Sequence, residues 1–234
     1  MLKALVITPV KNSLENTLET IKAVASTNTA VHHYIYDDFS DPEVSDVLEA
    51  KSRQLGYSYI HLSELTNTPS PNYLTVLKNA QQKALELDVP LIIVESDVVV
   101  KPETFNDLLA YLKPDTGMVG NITVDEGGTI NFPYLKFKKE KAKFIKTNRS
   151  LSFCCTLLSV DFLKNYNFNN LEPTKDWFDT IISEKSIELG FKNYVLIDSP
   201  VFHKPHGSRP WKHLKYSNPL KYYWLKFTQR RDKI

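Results

Sequence analysis

Leu91-Ile92-Ile93-Val94-Glu95-Ser96-Asp97 runs from four apolar residues directly into three polar ones. An apolar run of this length after Pro90 is typical of a strand that is buried on both faces, and such strands lie at the centre of parallel sheets. In open α/β sheets, ligands bind beyond the carboxyl ends of the strands. The stretch therefore predicts a central strand and, at residues 95–97, one wall of a binding site.

Predicted strands and helices alternate around this central strand. Strands are predicted at 2–8, 31–36 and 57–62, and helices at 14–25, from 42 onward and at 73–87. This alternation is the signature of a sheet with helices on both faces. Downstream, the patterns predict a helix at 102–112, a hairpin of strands 118–124 and 130–137, a strand at 151–158, a helix at 176–189 and a strand at 194–197. We therefore expect a single α/β domain with an open, mainly parallel sheet.

Composition excludes several classes of protein. A chain of 234 residues with 42% apolar and 24% charged residues is typical of one globular domain, not of a disordered protein. No apolar run approaches the roughly 20 residues that span a bilayer, and the start is too short for a signal peptide. The two cysteines, Cys154 and Cys155, are adjacent, which predicts packing roles and neither a disulfide framework nor a zinc site. A cytoplasmic protein is expected.

The net charge of +2 is distributed unevenly along the chain. Residues 203–234 carry +8 and residues 136–149 carry +6, so the remainder carries −12. We expect 136–149 to be a solvated loop. The tail, 211–231, interleaves aromatic and basic residues, which suits a helix at an anionic membrane interface and equally a helix packed on the core. Nucleic acid is a poor partner for a chain with so acidic a body.

Two acidic clusters follow neighbouring predicted strands. Asp37-Asp38 ends one strand and Glu95-Ser96-Asp97 ends another. Each cluster alone is compatible with an ordinary polar turn. Because the carboxyl ends of parallel strands meet at one edge of the sheet, the two clusters together indicate a shared site. Carboxylates so placed can hold Mg²⁺ or Mn²⁺, whose remaining ligands are typically waters and diphosphate oxygens.

These segments resemble the motifs of glycosyltransferase family 2, inverting enzymes with the GT-A fold that use nucleotide-sugar donors. The resemblance lies in Thr8-Pro9-Val10-Lys11-Asn12, in Tyr36-Asp37-Asp38-Phe39-Ser40-Asp41 and in Val94-Glu95-Ser96-Asp97. Two departures are visible, because Phe39 stands where the family commonly has glycine and Glu95 stands where it commonly has aspartate. Asn79 lies near the position of an asparagine often found in the family.

The resemblance extends to about residue 207. Asp176-Trp177-Phe178-Asp179, followed by a helix that closes at Gly190, is similar to the family's Glu-Asp motif, with Phe178 in place of the glutamate. This similarity implies that Asp179 is the general base, with Asp176 as the second candidate. The alternative explanation of Asp179 is an acidic residue that the helix dipole favours, and the resemblance favours the catalytic one. The segment from Val201 to Gly207 resembles one that supplies a histidine to the metal or the diphosphate, and His203 and His206 compete for that role.

The resemblance implies a complete set of roles. Thr8, Pro9, Val10, Asp37, Asp38, Asn79, Glu95 and Ser96 would bind the donor. Asp97, with Glu95 and one of His203 and His206, would hold Mn²⁺ or Mg²⁺. The transferase domain would span 1–207 and a basic C-terminal helical tail 208–234, with a glycan or lipid-linked acceptor and a location in the cytoplasm or at the inner face of the membrane.

Two other functions remain open at this stage. A nucleotidyltransferase that makes sugar nucleotides shares an α/β nucleotide fold, but its glycine- and arginine-rich phosphate loop is not found near the N-terminus. A catalytically inactive domain that binds nucleotide or glycan is compatible with the departures at Glu95 and Phe178.

Overall fold

The computed structural model describes residues 1–204 and 218–228. Within them the strands are β1 (Ala4–Val10), β2 (Val31–Asp37), β3 (Ser58–His61), β4 (Leu91–Val94), β5 (Val98–Val99), β6 (Thr116–Val124), β7 (Phe144–Thr147), β8 (Cys155–Leu158) and β9 (Lys192–His203). The helices are α1 (Leu14–Ala25), α2 (Pro42–Leu55), α3 (Tyr73–Glu86), α4 (Thr104–Ala110), α5 (Val160–Asn165), α6 (Phe178–Glu188) and α7 (Pro219–Thr228).

The strands form one sheet in the order β3-β2-β1-β4-β8-β6-β9-β5, with β7 paired to β9. The half that contains β3, β2, β1 and β4 is parallel, as predicted. The other half is mixed, because β8 runs antiparallel to both β4 and β6, and β5 and β7 run antiparallel to β9. The predicted α/β fold is confirmed, and "mainly parallel" describes its first half only.

Side-chain alternation along the strands divides the core between the two faces of the sheet. Leu5 and Ile7 of β1 pack in one cluster with residues of α3, α5 and α6. Ala4 and Val6 face the opposite way, into a cluster that includes residues of α1 and α4. A third cluster joins α1 and α2 to β2 through Leu48. Helices therefore cover both faces, as the alternating pattern predicts.

The predicted hairpin after β6 is only partly formed. Its turn is present, since the amide of Gly128 donates to the carbonyl of Asp125 and Val124 bridges to Ile130. The predicted second strand, 130–137, is wrong beyond that bridge. Pro133 has no amide to donate to a ladder, and Tyr134 is fully buried, with its hydroxyl accepting from the amide of Ser152.

The basic segment 136–149 is not simply a solvated loop. Its last part forms β7, which pairs antiparallel with β9 from Phe144↔Leu196 to Thr147↔Asn193. Phe144 lies 4.8 Å from the ring centroid of Tyr111. The lysine-rich part before β7 is exposed, as predicted.

The boundary predicted at 207/208 lies outside the described residues, as does His206. Of the predicted tail helix, Pro219–Thr228 is described and is helical. Across 1–204 and 218–228, no helix has the length and hydropathy that crossing a bilayer requires.

Candidate active site

Four residues from three parts of the chain meet at the carboxyl end of β4. The tight turn at 95–97 leads into β5, which pairs with β9 in the register Val98↔His203 and so sets Asp97 beside His203. The β4–β8 register Val94↔Cys155 places Cys154 opposite Glu95, whose amide donates to the Cys154 carbonyl. Strand pairing alone therefore brings Glu95, Asp97, Cys154 and His203 together.

His203 is held in a defined orientation. Its Nδ1 lies 2.9 Å from the carbonyl oxygen of Phe132, which fixes Nδ1 as the donor, and its Nε2 lies 3.3 Å from the carboxylate of Asp97. Burial acts to lower the pKa of His203, but the hydrogen bond and charge of Asp97, the charge of Glu95 and the Phe132 contact outweigh it and raise the pKa above its ordinary value. The imidazole is thus aimed at the two carboxylates.

This donor set suits a divalent cation. The ligand atoms of Glu95, Cys154 and His203 lie within 4.8 Å of one another, and Asp97 adds a second carboxylate next to His203. The hydrogen bond from Nδ1 to a backbone carbonyl is the usual outer-shell device that leaves Nε2 to a metal. The residues therefore fit the metal role that the sequence predicts for Glu95, Asp97 and His203.

Asp179 is linked to this cluster by an electrostatic effect on Tyr73. Asp179 lies in the first turn of α6, where its Oδ1 accepts a 2.7 Å hydrogen bond from the amide of Thr180. Burial and the charges of Glu95, Asp179 and Cys154 all raise the pKa of Tyr73 far above its ordinary value. The charges of a carboxylate of the cluster and of the predicted base thus both act on the Tyr73 hydroxyl.

Tyr73 is clamped between aromatic rings and carries an unusual hydroxyl. Its ring stacks at 6.2 Å on Phe153 and at 6.5 Å on Phe178, the residue that replaces the glutamate of the family motif. The hydroxyl oxygen is buried and makes no hydrogen bond to any residue among 1–204 and 218–228. A buried hydroxyl without a partner is costly, which makes this one a candidate contact for a ligand oxygen.

Asp37 and Asp38 lie at the same edge of the sheet, and other residues of the protein hold both carboxylates by hydrogen bonds. Burial acts to raise the pKa of Asp37, and hydrogen bonds from Ser40, Ser45 and Tyr59 outweigh it and lower the pKa. Asp38 accepts from the hydroxyl of Ser70 at 2.7 Å and from both nitrogens of Asn72 at 2.8 Å.

Asn72 directly precedes Tyr73, so Asp38 also positions the start of α3. Phe39 has a φ of 57°, a left-handed backbone conformation that glycine adopts more readily than other residues.

The remaining predicted donor residues divide into two groups. Thr8, Pro9 and Val10 end β1 beside β2, and the buried hydroxyl of Thr8 lies 2.9 Å from Nε2 of His33. Ser96 lies in the turn between Glu95 and Asp97. Asn79 is not brought to this edge; it accepts a 2.7 Å hydrogen bond from the Tyr36 hydroxyl and lines a separate cavity beside α5. Asp176 is exposed just before α6.

Sequence patterns missed two members of the site. The packing role predicted for the cysteines is compatible with buried Cys155 and is incomplete for Cys154, whose thiol donates to the Glu95 carboxylate at 3.4 Å. Tyr73 has the spacing of an ordinary inward-facing helix residue. The aromatic residues Phe153 and Phe178 that enclose it are distant in sequence, so no local pattern signals its position.

Comparison with known proteins agrees with this geometry. A family model described as glycosyl transferase family 2 matches residues 5–166, more than half of the chain. The chain belongs to glycosyl transferase family 2. The resemblance stated from its motifs is thereby confirmed. No curated protein matches this family 2 chain in sequence.

Solved structures share the fold of this family 2 chain at low identity. It is similar to residues 1–349 of TarS from S. aureus, at 19% identity and a TM-score of 0.66 over 87% of this chain and 60% of that one. It is also similar to the mannosyltransferase PcManGT from Pyrobaculum calidifontis in complex with GDP-Man and Mn²⁺, at 12% identity and a TM-score of 0.66 over 96% and 64%.

GalNAc-T7 with UDP, GalNAc and Mn²⁺ is a third such structure, at 15% identity and a TM-score of 0.65 over 98% and 50%. The family 2 chain thus spans less than two thirds of each of these proteins, and the likeness shows the fold alone.

Proposed function

We propose that this chain is an inverting, metal-dependent glycosyltransferase that moves a sugar from a nucleotide-sugar donor to a hydroxyl of a glycan or lipid-linked acceptor. The observation that supports it most strongly is the Tyr73 hydroxyl, which is buried, has no hydrogen-bond partner within 1–204 and 218–228, and is acted on by the charges of both Glu95 and Asp179. A metal-type cluster and a carboxylate base, both near enough to act electrostatically on one buried hydroxyl, are the groups that sugar transfer requires.

The donor diphosphate binds at the cluster of Glu95, Asp97 and His203, which would hold Mn²⁺ or Mg²⁺. When bound, the cation offsets the negative charge that builds on the departing diphosphate. His203 is kept in place by the Phe132 carbonyl, and Asp97 by the Nε2 of His203. Two of the similar structures contain Mn²⁺ with GDP-Man or with UDP, which supports this assignment.

The nucleoside lies along the ends of β1 and β2. Thr8, Pro9, Val10, Asp37, Asp38 and Ser96 border this part of the edge. Because protein donors already hold the carboxylates of Asp37 and Asp38 in place, their remaining lone pairs are oriented before a ligand arrives. Asn79 takes an indirect part, by fixing Tyr36 next to Asp37.

Asp179 acts as the general base. An acceptor hydroxyl is a weak nucleophile, so a carboxylate within hydrogen-bond reach takes its proton as the new bond forms. In a single displacement the base and the leaving group lie on opposite sides of the sugar, which inverts the anomeric carbon. The Thr180 amide holds Oδ1 of Asp179 and so orients the carboxylate. The Tyr73 hydroxyl donates to an oxygen of the substrates between them.

Helix α7 supplies contact with an anionic membrane surface. Leu220, Trp224 and Phe227 are 85%, 64% and 88% exposed and share one side of the helix, whereas Tyr222 on the other side is buried. A helix that packed through its apolar stripe would bury these three side chains instead. Lys221 and Lys226 add positive charge beside the apolar stripe. We propose a cytoplasmic location at the inner face of the membrane, compatible with two cysteines that form no disulfide within 1–204 and 218–228.

The experiment that tests the function measures nucleoside diphosphate release from a panel of UDP-, GDP- and dTDP-sugars with Mn²⁺ or Mg²⁺. At least one donor is expected to be hydrolysed or transferred, and omission of the metal abolishes the reaction. Binding of a donor with no turnover under any condition would favour an inactive nucleotide-binding domain, for which the departures at Glu95 and Phe178 are the supporting observation.

A further inference from the structure

The cluster at the end of β4 contains a sulfur atom. Cys154 Sγ lies 3.4 Å from a carboxylate oxygen of Glu95, and both lie within 4.8 Å of a ring nitrogen of His203. In a tetrahedral zinc site with bonds of about 2.0–2.3 Å, ligand atoms are about 3.3–3.8 Å apart. The separation of Cys154 Sγ from the Glu95 oxygen lies within this range, and His203, whose ring nitrogen is at most 4.8 Å from each, needs only a small shift to share one cation with them.

The backbone fixes the thiol at this position. The carbonyl of Cys154 accepts from the amide of Glu95, and the next residue, Cys155, pairs with Val94 in the β4–β8 ladder. The Cys154 side chain is 1% exposed, and its Sγ lies 3.3 Å from the hydroxyl of Ser152. Ladder pairing on one side and a polar contact on the other restrict the directions that the thiol can take.

The protein also holds His203 in a position from which it can bind a cation. Its Nδ1 donates to the Phe132 carbonyl, and the side-chain Nδ2 of Asn131 donates to the carbonyl oxygen of His203 itself at 3.0 Å. The ring is buried, so its Nε2 cannot turn away from the cluster. Cysteine, histidine and carboxylate are the three ligand types that zinc uses in proteins.

We infer that Cys154 makes this a thiol-containing metal centre, which binds Zn²⁺ or another thiophilic divalent cation more tightly than Mg²⁺. Thiolate and imidazole ligands select cations of this kind, whereas Mg²⁺ prefers oxygen ligands alone. On binding, the sulfur–metal bond replaces the S–H bond and the proton passes to solvent. The inference rests on the cation site of the proposed function and is independent of sugar transfer.

Cobalt reports thiolate coordination directly. The metal-free full-length chain is titrated with Co²⁺, without nucleotide, and its near-ultraviolet absorption is followed for sulfur-to-cobalt charge transfer. The wild type and the control Cys155→Ser are expected to develop the band, and Cys154→Ser is expected to lack it. Circular dichroism establishes that both variants are folded. A wild type without the band, or a Cys154→Ser variant that keeps it, would overturn the inference.

Affinity provides the second readout. Calorimetric titration of Cys154→Ser with Zn²⁺ should give an affinity lower than that of the wild type by at least the roughly 10–100-fold that loss of an outer-shell partner costs. Its affinity for Mg²⁺ should change little. Equal losses for both cations would mean that Cys154 supports the fold of the site and does not ligate. A chain that shows the cobalt band but no turnover would contradict the proposed function alone.

Discussion

The carboxylate of Asp97 lies 3.3 Å from Nε2 of His203, and the two side chains are only 1% and 4% exposed. A buried pair of this kind is costly to assemble, because both groups leave water. It forms here because β5 pairs with β9 directly after the 95–97 turn. The fold thus keeps a carboxylate and an imidazole together at the edge of the sheet. The metal-binding roles proposed for Asp97 and His203 depend on this pair.

Asp97→Asn is expected to weaken metal-dependent binding of a nucleoside diphosphate. The substitution keeps the size of the side chain but removes the charge that the cation requires, so affinity should fall by more than about 10-fold. Isothermal titration with UDP and GDP, with and without Mn²⁺, measures the effect. Asp125→Asn, at the exposed turn after β6, is the control and should bind as the wild type does. Unchanged affinity in Asp97→Asn would remove the metal assignment.

Asp179→Asn should keep donor binding and lower turnover by about 10²–10⁴-fold, the usual contribution of a general base. The side chain of asparagine is not a base and cannot take the proton of the sugar-accepting hydroxyl. It still fills the space that the carboxylate occupies beside the backbone amide of Thr180. Asp176→Asn is the matched variant, three residues away and exposed, and should retain activity. Loss of turnover in Asp176→Asn with wild-type rates in Asp179→Asn would transfer the role to Asp176.

Tyr73→Phe should weaken the donor complex or its turnover by about 10–100-fold, the effect of losing one hydrogen bond to a charged oxygen. Its thermal stability should not fall, because the lost hydroxyl has no partner within the described ranges 1–204 and 218–228.

Tyr134→Phe provides the contrast to Tyr73→Phe. Its hydroxyl accepts from the buried amide of Ser152 at 3.1 Å, so its removal should lower the free energy of unfolding by about 1–3 kcal/mol. Thermal denaturation of both variants, together with donor titration, separates a ligand contact from a structural one. A Tyr73→Phe variant that is destabilised but fully active would contradict the role proposed for Tyr73.

The chain should lose stability as the pH falls below about 6.5. Burial, with a smaller contribution from His32, lowers the pKa of His33 to about 3. Below pH 6.5 the histidine is protonated in the unfolded chain, whereas His33 in the folded chain stays neutral. Protonation therefore favours the unfolded chain, and the free energy of unfolding falls by about 1.4 kcal/mol per pH unit between pH 6 and 4.

His33→Gln should flatten that dependence, since glutamine does not titrate. Urea denaturation from pH 7 to 4 measures the slope. His61→Gln, on the neighbouring strand β3 and one-third exposed, is the control for loss of an imidazole outside the buried position. Identical slopes in the wild type and His33→Gln would show that His33 is not the titrating group.

Replacing Leu220, Trp224 and Phe227 with serine should abolish binding to vesicles. These side chains form the exposed apolar stripe of α7, and their loss leaves only weak electrostatic attraction. Co-sedimentation with vesicles containing phosphatidylserine, compared with neutral vesicles, measures the effect. A wild type that stays in the supernatant with both lipids would end the membrane proposal.

Local sequence patterns predict the first half of the fold well. Buried strands such as Leu91–Val94 and amphipathic helices such as α3 have clear periods, and their alternation implies parallel pairing. The edge on which Asp37, Asp38, Glu95 and Asp97 gather follows from that order alone.

The second half depends on long-range pairing that no local period encodes. β5 has only two residues, yet its register with β9 delivers His203 to Asp97. The segment 130–137 alternates as a strand does, but Pro133 and the buried Tyr134 prevent the ladder. Cys154 and Tyr73 have ordinary packing patterns, and they belong to the site only because β8 and α6 meet β4 and α3 in space.

A crystal structure with Mn²⁺ and the nucleoside diphosphate that binds most tightly is the most direct test that a single cleft joins Asp97 to Asp179. The account predicts electron density for the diphosphate against Asp97 and His203, with the Tyr73 hydroxyl in hydrogen-bond contact and Asp179 across the opening from it. A nucleotide bound elsewhere, such as in the cavity beside Asn79, or a side chain that separates Asp97 from Asp179 in the complex, would contradict it.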